Sequence, residues 1–244
     1  MSGLFLPTSC VVCRSVGSPL CEACAATLQP APEVEPGERR DLGLDRVVAL
    51  FAYEGAGATV IKHLKFGNHR DALRPLAHAL AAAVDTHVDL VTWVPTSTEH
   101  RRRRGYDQAE LVARTVGRSL GVRTRSTVRR VDPTAQTGRH RSERLTARFE
   151  AIRPLSTPVV AVVDDVRTTG GSLAGVAHAL RRAGAERVVG ATLAATPRSV
   201  HASRSFPLQS WLTNGTPSRF PPVEGNRRQR ADQRERPPHR DHQG

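Results

Sequence analysis

Aromatic residues are scarce in this sequence, and long apolar runs are absent. Phe, Trp and Tyr make up 4% of the 244 residues, so Ala and Val supply most of a hydrophobic content of 39%. Such a composition suits parallel strands covered by Ala-rich helices. No apolar run approaches the roughly 18 residues of a membrane span, and the first ten residues lack the basic and apolar regions of a signal peptide. We therefore expect a cytoplasmic protein with no membrane span.

Acidic residues are outnumbered by basic ones, 23 to 36, which gives a formal net charge of +13. An excess of positive charge favours anionic partners such as nucleic acid or phosphorylated metabolites. The alternative is a high-GC genome that encodes Arg in place of Lys, since Arg dominates the basic residues. The charge alone does not decide between the two.

Composition divides the chain into four segments. Residues 1–28 carry all four cysteines, residues 29–45 are a linker rich in Pro, Glu and Gly, and residues 46–196 alternate apolar runs with helical patterns. Residues 197–244 lose that periodicity and have too few apolar side chains to bury a core, so we predict a disordered basic tail. The third segment predicts a parallel sheet with helices on both faces. Its predicted strands are 46–53, 90–94, 158–163 and 187–195, and its predicted helices are 57–66, 73–84, 108–120 and 172–183.

The cysteines form two C-x-x-C pairs seven residues apart, Cys10 with Cys13 and Cys21 with Cys24. Four thiolates complete a tetrahedral zinc site and leave no open position, which predicts a structural rather than a catalytic metal. Two disulfides are the first alternative, although they conflict with a reducing cytoplasm. A redox C-x-x-C is the second, although the thioredoxin-like context that such a motif needs is missing.

The stretch Val159–Leu173, VVAVVDDVRTTGGSL, carries an apolar strand that ends in two acids and a turn of small polar residues. Glycines let backbone N–H groups converge on a phosphate, hydroxyls add donors, and a helix N-terminus adds partial positive charge. Two carboxylates beside a phosphate site suit the vicinal hydroxyls of a ribose, directly or through Mg²⁺. We therefore predict a ribose-5-phosphate loop at the carboxyl end of this strand.

This stretch resembles the phosphoribosyl pyrophosphate (PRPP) motif of type I phosphoribosyltransferases. The resemblance implies that Asp164 and Asp165 are the catalytic acids on the ribose hydroxyls. The phosphate-binding set that it implies is Arg167, Thr168, Thr169, Gly170, Gly171 and Ser172. It further implies Mg²⁺ bound with PRPP, and a type I phosphoribosyltransferase-like α/β fold behind the four-cysteine knuckle.

The order of the motifs is similar to that of the ComF family of phosphoribosyltransferase-like proteins. After the cysteines come Ile61–Gly67 (IKHLKFG), Arg104–Ala109 (RGYDQA), Gln136–Arg144 (QTGRHRSER) and then the PRPP loop. Asp107 stands where the family usually has Asn. The resemblance implies a protein that binds PRPP or a nucleotide, with an unknown acceptor if it transfers the phosphoribosyl group. The alternative that it implies is a non-catalytic accessory of DNA uptake, which binds single-stranded DNA or competence proteins.

Arginines cluster in the middle of the chain, in His100–Tyr106 (HRRRRGY) and between residues 123 and 148. The resemblance to type I transferases implies a pyrophosphate loop and a hood, with Arg104 and Arg141 on the phosphates, and the guanidinium fork matches phosphate oxygens. The second interpretation is a groove for the backbone of single-stranded DNA, although few aromatic residues lie near for stacking. The third is a solvated basic face.

Overall fold

The computed structural model describes residues 8–66, 70–131 and 148–197. Within them, no helix has the length and apolar character needed to cross a membrane. Arg141 and residues 198–244, most of the predicted tail, lie outside the described residues. The elements, in chain order, are α1 (Glu22–Ala25), α2 (Pro36–Asp41), β1 (Arg46–Ala52), α3 (Gly55–Phe66), α4 (Arg70–Val84), β2 (Leu90–Trp93), α5 (Thr98–Arg104), α6 (Gln108–Leu120), β3 (Arg123–Thr124), β4 (Val128–Val131), β5 (Arg148–Ala151), β6 (Val159–Arg167), α7 (Gly171–Arg182) and β7 (Arg187–Ala195).

Five strands form one parallel sheet in the order β1–β7–β6–β2–β3. The central strand β6 pairs with β2 from Leu90 opposite Val160, and with β7 from Val159 opposite Arg187. Strands β4 and β5 form a separate antiparallel ribbon. The predicted parallel α/β sheet with flanking helices is confirmed.

The apolar run of β6 is continuous because helices cover both faces of the sheet. Ala161 and Val163 belong to a first buried cluster, which includes residues of α3, α4 and α6. Val160 and Val162 face the other way and pack in a second cluster with α7. The sequence pattern predicts this two-sided cover, since a half-exposed strand would alternate apolar with polar residues.

Strand β6 is longer than the sequence predicts. The apolar run predicts a strand over residues 158–163, but β6 continues through both acids to Arg167. The extension follows from β7, which continues beside it and pairs Asp164 with Thr192 and Arg167 with Ala195. The two acids therefore lie within the backbone ladder of the sheet rather than in a free turn.

The segment predicted as a linker, residues 29–45, packs on the domain in the structure. Pro36 starts the short helix α2, where its missing N–H costs no hydrogen bond. Leu42 and Leu44 are buried in the second cluster. The carboxylate of Asp45 accepts hydrogen bonds from the Val188 N–H and from the guanidinium of Arg181. The abundance of Pro and Glu led to the prediction of a linker, although the segment contains two leucines, Leu42 and Leu44, that pack in the core.

Candidate functional site

An open cleft of about 190 Å³ lies at the carboxyl ends of β2 and β6. Parallel strands of an α/β sheet present their carboxyl ends to ligands, because the following loops and helix N-termini meet there. Several elements and loops contribute to its walls. The lining residues are Lys65, Val94, Pro95, Thr96, Asp107, Gln108, Ala109, Arg130, Asp164, Asp165 and Ser172.

The structure brings both predicted acids into this cleft. The backbone N–H of Asp165 donates to Oδ1 of Asp164 at 2.8 Å, which orients the Asp164 carboxylate, and both acids line the cleft. Asp165 Oδ2 lies 2.9 Å from Nζ of Lys65, and the two side chains are only 15% and 21% exposed. Lys65 comes from the last turn of α3 and neutralises one of the two acids in a partly buried ion pair.

Burial raises the pKa of Asp164 well above its usual range. The carboxylate of Asp165 raises this pKa further, since two adjacent negative charges repel each other. Lys65 opposes both effects but forms its ion pair with Asp165. A ligand hydroxyl or a cation that reaches Asp164 would stabilise the ionised form of this acid.

The raised pKa predicts that Asp164→Asn stabilises the fold. An unfolded Asp ionises near its ordinary pKa of about 3.9, so between that value and the raised folded pKa the folded state binds more protons. The free energy of unfolding therefore falls as pH rises through that window. We expect Asp164→Asn to melt about 2 °C or more above the wild type at pH 8. The gain should shrink towards pH 4.

Thermal melts of the two proteins between pH 4 and pH 8 measure this effect. Asp85→Asn is the matched control, because Asp85 is 85% exposed on its side chain and has φ 37°, a conformation that Asn tolerates well. An Asp164→Asn protein that melts below the wild type at pH 8 would contradict the electrostatic account.

The turn that follows the acids leads directly into α7. Gly170 adopts the left-handed region at φ 81° and takes the N-cap position, where a glycine has no side chain to cap the helix. The first turn of α7 contains no acidic residue. Thr168, Thr169 and Ser172 are exposed, and Ser172 lines the cleft. The Gly171 N–H donates weakly to Oγ1 of Thr169 at 3.4 Å. A helix N-terminus whose N-cap has no side chain, with hydroxyls around it, is suited to an anion.

Arg167, predicted to bind substrate, points away from the cleft. Its side chain is 2% exposed and lies 3.7 Å from Oε1 of Glu38. It also donates to the carbonyl of Pro32 at 3.2 Å. The preceding residue, Val166, packs against the first cluster, on the other face of the sheet from these contacts. Arg167 therefore anchors residues 29–45 in the structure.

The other two predicted phosphate-binding arginines are not placed in the cleft. Arg104 ends α5, and its side chain is not among the described ones. Arg141 lies outside the described residues altogether. Their assignment to pyrophosphate remains a prediction.

The lining residues to which the sequence analysis assigns no role include Lys65, Asp107, Gln108 and Arg130. Lys65 and the Asp107–Gln108 pair belong to motifs that support the ComF resemblance, and that was the available signal. Asp107 is buried, caps α6 by accepting from the N–H groups of Ala109 and Glu110, and accepts from the Thr96 N–H at 3.0 Å. It holds the loop after β2 against α6, and burial raises its pKa.

The four cysteines form a separate group of possible metal ligands, away from the cleft. Their sulfur atoms lie within 4.8 Å of one another, and Sγ of Cys13 lies 3.7 Å from Sγ of Cys21. Tetrahedral zinc with bonds of about 2.3 Å places its sulfurs about 3.8 Å apart, whereas a disulfide needs about 2.05 Å. The backbone N–H groups of Val12 and Cys21 donate to Sγ of Cys10 at 3.4 and 3.5 Å. This arrangement is able to hold a metal such as zinc.

The thiols do not ionise together without a cation. The Ser15 hydroxyl lowers the pKa of Cys13 to about 6, whereas burial raises the pKa of Cys24 to about 12. A divalent metal favours the thiolate at every position, because the ligands must be deprotonated. The donor set therefore fits a structural zinc with four cysteine ligands.

The cysteine knuckle packs on α3. Cys10 and Val11 are fully buried in the first cluster, together with Ile61 and Leu64. His63 donates from Nδ1 to the Val11 carbonyl at 2.5 Å. Since Lys65 follows on the same helix, the knuckle supports the helix that delivers a cation to Asp165.

Comparison with known proteins supports a family assignment. No protein-family model matches the chain. The chain is 31% identical over 157 residues to the DNA utilization protein YhgH of Salmonella typhi, covering 59% of this chain and 69% of that protein. It is 30% identical over 187 residues to competence protein F of Haemophilus influenzae, covering 70% of this chain and 82% of the relative.

Solved structures that resemble the chain include two enzymes named for phosphoribosyl chemistry. One is a glutamine PRPP amidotransferase from Bacillus subtilis, with a TM-score of 0.35 and 19% identity over 50% of this chain and 26% of that one. Another is a purine phosphoribosyltransferase from Pyrococcus horikoshii, with a TM-score of 0.32 and 19% identity over 58% of this chain and 77% of that one. Because two relatives at about 30% identity are covered over more than two thirds of their length, the chain belongs to the ComF family.

Proposed function

We propose that the cleft at the ends of β2 and β6 binds a phosphoribosyl ligand, PRPP or a nucleoside monophosphate. One observation carries the proposal: two adjacent carboxylates lie in a cleft beside the uncapped N-terminus of a helix. A ribose 5-phosphate is complementary to both features. Its hydroxyls suit the two carboxylates, and its phosphate dianion suits the helix N-terminus.

The 5′-phosphate belongs at the start of α7. The helix has twelve residues, the N-cap is a glycine in the left-handed region, and the turn exposes Thr168, Thr169 and Ser172. Backbone N–H groups and hydroxyls supply donors without a competing carboxylate. Thr168–Ser172 is the phosphate loop in this proposal, whereas Arg167 supports it from behind.

The ribose hydroxyls belong at Asp164 and Asp165. The oxygens of both carboxyl groups can accept hydrogen bonds from vicinal hydroxyls, and these bonds are stronger where the acid is ionised. Lys65 and Arg130 bring positive charge to the same cleft and suit the pyrophosphate of PRPP. The cleft therefore offers acids and cations to the two chemically different halves of one ligand.

Magnesium fits this site as a partner of the ligand. Mg²⁺ is usually held by one or two carboxylates together with substrate phosphates, and Asp164 and Asp165 would hold it here. When bound with PRPP, it would neutralise charge on the pyrophosphate.

Transfer of the phosphoribosyl group is the activity that this site would support. A nitrogen nucleophile would form a bond to ribose C1 while the bond from C1 to the pyrophosphate oxygen breaks, and pyrophosphate would leave with the bonding electrons. Negative charge grows on the pyrophosphate in that step, and Lys65 and Arg130 are the described cations that line the cleft. The acceptor is the part of the reaction that this proposal leaves open.

Asp165→Asn tests the ligand site directly. The substitution keeps the shape of the side chain and removes its charge, so it weakens hydrogen bonds to the ribose and the attraction for Mg²⁺. A charged hydrogen bond is worth about 1.5–3 kcal/mol, so we expect roughly 10- to 150-fold weaker binding of PRPP with Mg²⁺. Isothermal titration calorimetry of the two proteins gives both affinities.

Two controls accompany this test. Asp85→Asn makes the same chemical change at an exposed site and should leave affinity within twofold of the wild type. Lys65→Met removes the cation that faces Asp165 and should weaken PRPP more than ribose 5-phosphate, because only PRPP carries pyrophosphate. Full PRPP affinity in Asp165→Asn would refute the phosphoribosyl assignment.

A second candidate function is a role in DNA uptake without catalysis. The relatives are named for competence and DNA utilization, and the strand pair β4–β5 exposes Arg129 and Arg130 next to the cleft. The aromatic side chain there does not serve as a stacking platform, since Phe149 is buried beneath the Arg130 guanidinium. Binding of single-stranded DNA that falls steeply with salt, and that Arg129→Ala weakens while Asp165→Asn does not, would favour this role.

A further inference from the structure

The side chain of Gln108 is buried in the wall of the cleft without any hydrogen-bond partner among the described residues. Gln108 is the first residue of α6 and is 2% exposed. Neither Oε1 nor Nε2 of its carboxamide forms a hydrogen bond to residues 8–66, 70–131 or 148–197. Burying an amide group that forms no hydrogen bond is unfavourable, because the group has lost its bonds to water. A buried carboxamide without a partner, placed in the wall of a cleft, is well suited to form hydrogen bonds with a ligand.

The start of α6 does not favour a phosphate. Oδ1 of Asp107 already accepts from the N–H groups of Ala109 and Glu110, and the first turn also carries the Glu110 carboxylate. The Glu110 carboxylate is paired with Arg114 at 2.7 Å and does not line the cleft, so the capping by Asp107 is the feature that matters. A phosphate would find the first N–H groups of α6 already occupied, in contrast to the start of α7, whose N-cap is a glycine. An uncharged group is therefore the better partner for Gln108.

Part of the wall near Gln108 is apolar, beside Thr96 and Asp107. Val94, Pro95 and Ala109 line the same cleft, and Val94 and Ala109 are buried. Apolar side chains next to a single polar group form the usual environment of a flat organic ring, which stacks on the apolar atoms and bonds through its edge. A second sugar or phosphate would find few partners on these three side chains.

The chemistry of the carboxamide narrows the group further. Nε2 donates and Oε1 accepts, so both are satisfied only by a group that presents an acceptor beside a donor. A phosphate accepts only, and a single hydroxyl meets one atom of the amide at a time. The edge of a nucleobase, or another carboxamide, pairs with both atoms at once.

We propose that Gln108 recognises the hydrogen-bonding edge of a planar, uncharged nitrogen heterocycle or carboxamide, held between the loop after β2 and the start of α6. This assignment rests on the proposed phosphoribosyl site and names the class of the group carried on, or joined to, ribose C1. Gln108 is then a specificity-determining residue of the cleft.

The test compares ligands with and without a base on two proteins. The wild type and Gln108→Met, which keeps the length of the side chain and removes its hydrogen bonds, are titrated with ribose 5-phosphate. They are also titrated with the adenine, guanine, cytosine and uracil nucleoside 5′-monophosphates. We expect the best-bound monophosphate to lose roughly 10- to 100-fold in affinity on substitution, the value of two hydrogen bonds. Ribose 5-phosphate should bind both proteins within twofold.

Thermal melting separates this role from a structural one. Since Gln108→Met removes an unpartnered buried amide, the ligand-free variant should melt at or above the wild-type temperature. Gln108→Ala is a second variant, for the case in which the methionine side chain does not fit. It leaves space in place of the side chain and is titrated with the same ligands. A variant that binds every monophosphate like the wild type, or that loses ribose 5-phosphate equally, would overturn the assignment. Failure of the wild type to bind ribose 5-phosphate would overturn the proposed function, and this inference with it.

Discussion

Gly170→Val is expected to abolish ligand binding and to lower the melting temperature by roughly 5–15 °C. The residue has φ 81°, which a β-branched side chain adopts only at a cost of about 1–2 kcal/mol. A Cβ at this position would also lie 2.9 Å from Cδ2 of Leu42, which is buried in the second cluster. Overpacking of this kind costs about 1–3 kcal/mol, and each kcal/mol shifts the melting temperature by about 2–4 °C in a domain of this size.

The same geometry explains why binding would be lost. The added side chain points at Leu42 rather than at the phosphate, so it does not simply block the ligand. The unfavourable positive φ, together with the contact at Leu42, favours a shifted loop, and the N–H groups at the start of α7 then leave the positions that the phosphate needs. A loss of more than about 100-fold in the affinity for ribose 5-phosphate is expected, because the loop supplies several hydrogen bonds at once.

Gly171→Ala is the matched control for this prediction. A Cβ there meets only Oγ1 of Thr169, at 3.6 Å, which is an ordinary contact. Gly171 also has no positive φ. We expect its melting temperature to stay close to that of the wild type, and its loss of affinity to be much smaller than that of Gly170→Val, as measured by thermal unfolding and calorimetry. Equal effects of the two substitutions would show that neither the positive φ nor Leu42 determines the loop.

The fold was predictable where the pattern of side chains is local. The continuous apolar run at Val159–Val163 indicates a strand covered on both faces, and β6 has that position. The amphipathic pattern with Gly121 after it predicts a helix end, and Gly121 takes the left-handed C-cap of α6. The extension of β6 through the acids was not predictable in this way, because it depends on the neighbouring strand β7.

The site was predictable only in part, for the same reason. The acids and the Thr–Gly–Ser turn are contiguous in sequence, so their motif could be read directly. The cleft also includes three residues from separate elements, Lys65, Gln108 and Arg130. Their proximity depends on how α3, α6 and β4 pack, which the sequence does not reveal. Arg167 shows the converse: it lies within the motif, and in the structure it contacts residues 29–45. Membership of a motif does not tell which neighbouring segment takes up a side chain.

If the four cysteines bind zinc as we predict, loss of that metal is expected to have the largest effect on stability. Cys10 and Val11 are fully buried in the same cluster as the helices on one face of the sheet, so the knuckle is part of the core. Structural zinc contributes about 10–16 kcal/mol to the folding of isolated zinc-finger peptides. A domain with its own sheet retains some structure without it, and we expect the melting temperature to fall by roughly 10 °C or more.

The expected result is one zinc per chain, lost on substitution of a ligand but not of its neighbour. Protein purified without chelator is analysed for metals, and Cys10→Ser is compared with Ser15→Ala. Ser15 contacts Sγ of Cys13 at 3.0 Å without being a ligand, so its removal should leave the metal in place.

Because His63 joins the knuckle to the helix that carries Lys65, Cys10→Ser should also weaken PRPP binding. Reduced, folded wild-type protein with a metal content near zero would refute the zinc site, and an unchanged PRPP affinity in Cys10→Ser would refute its link to the cleft.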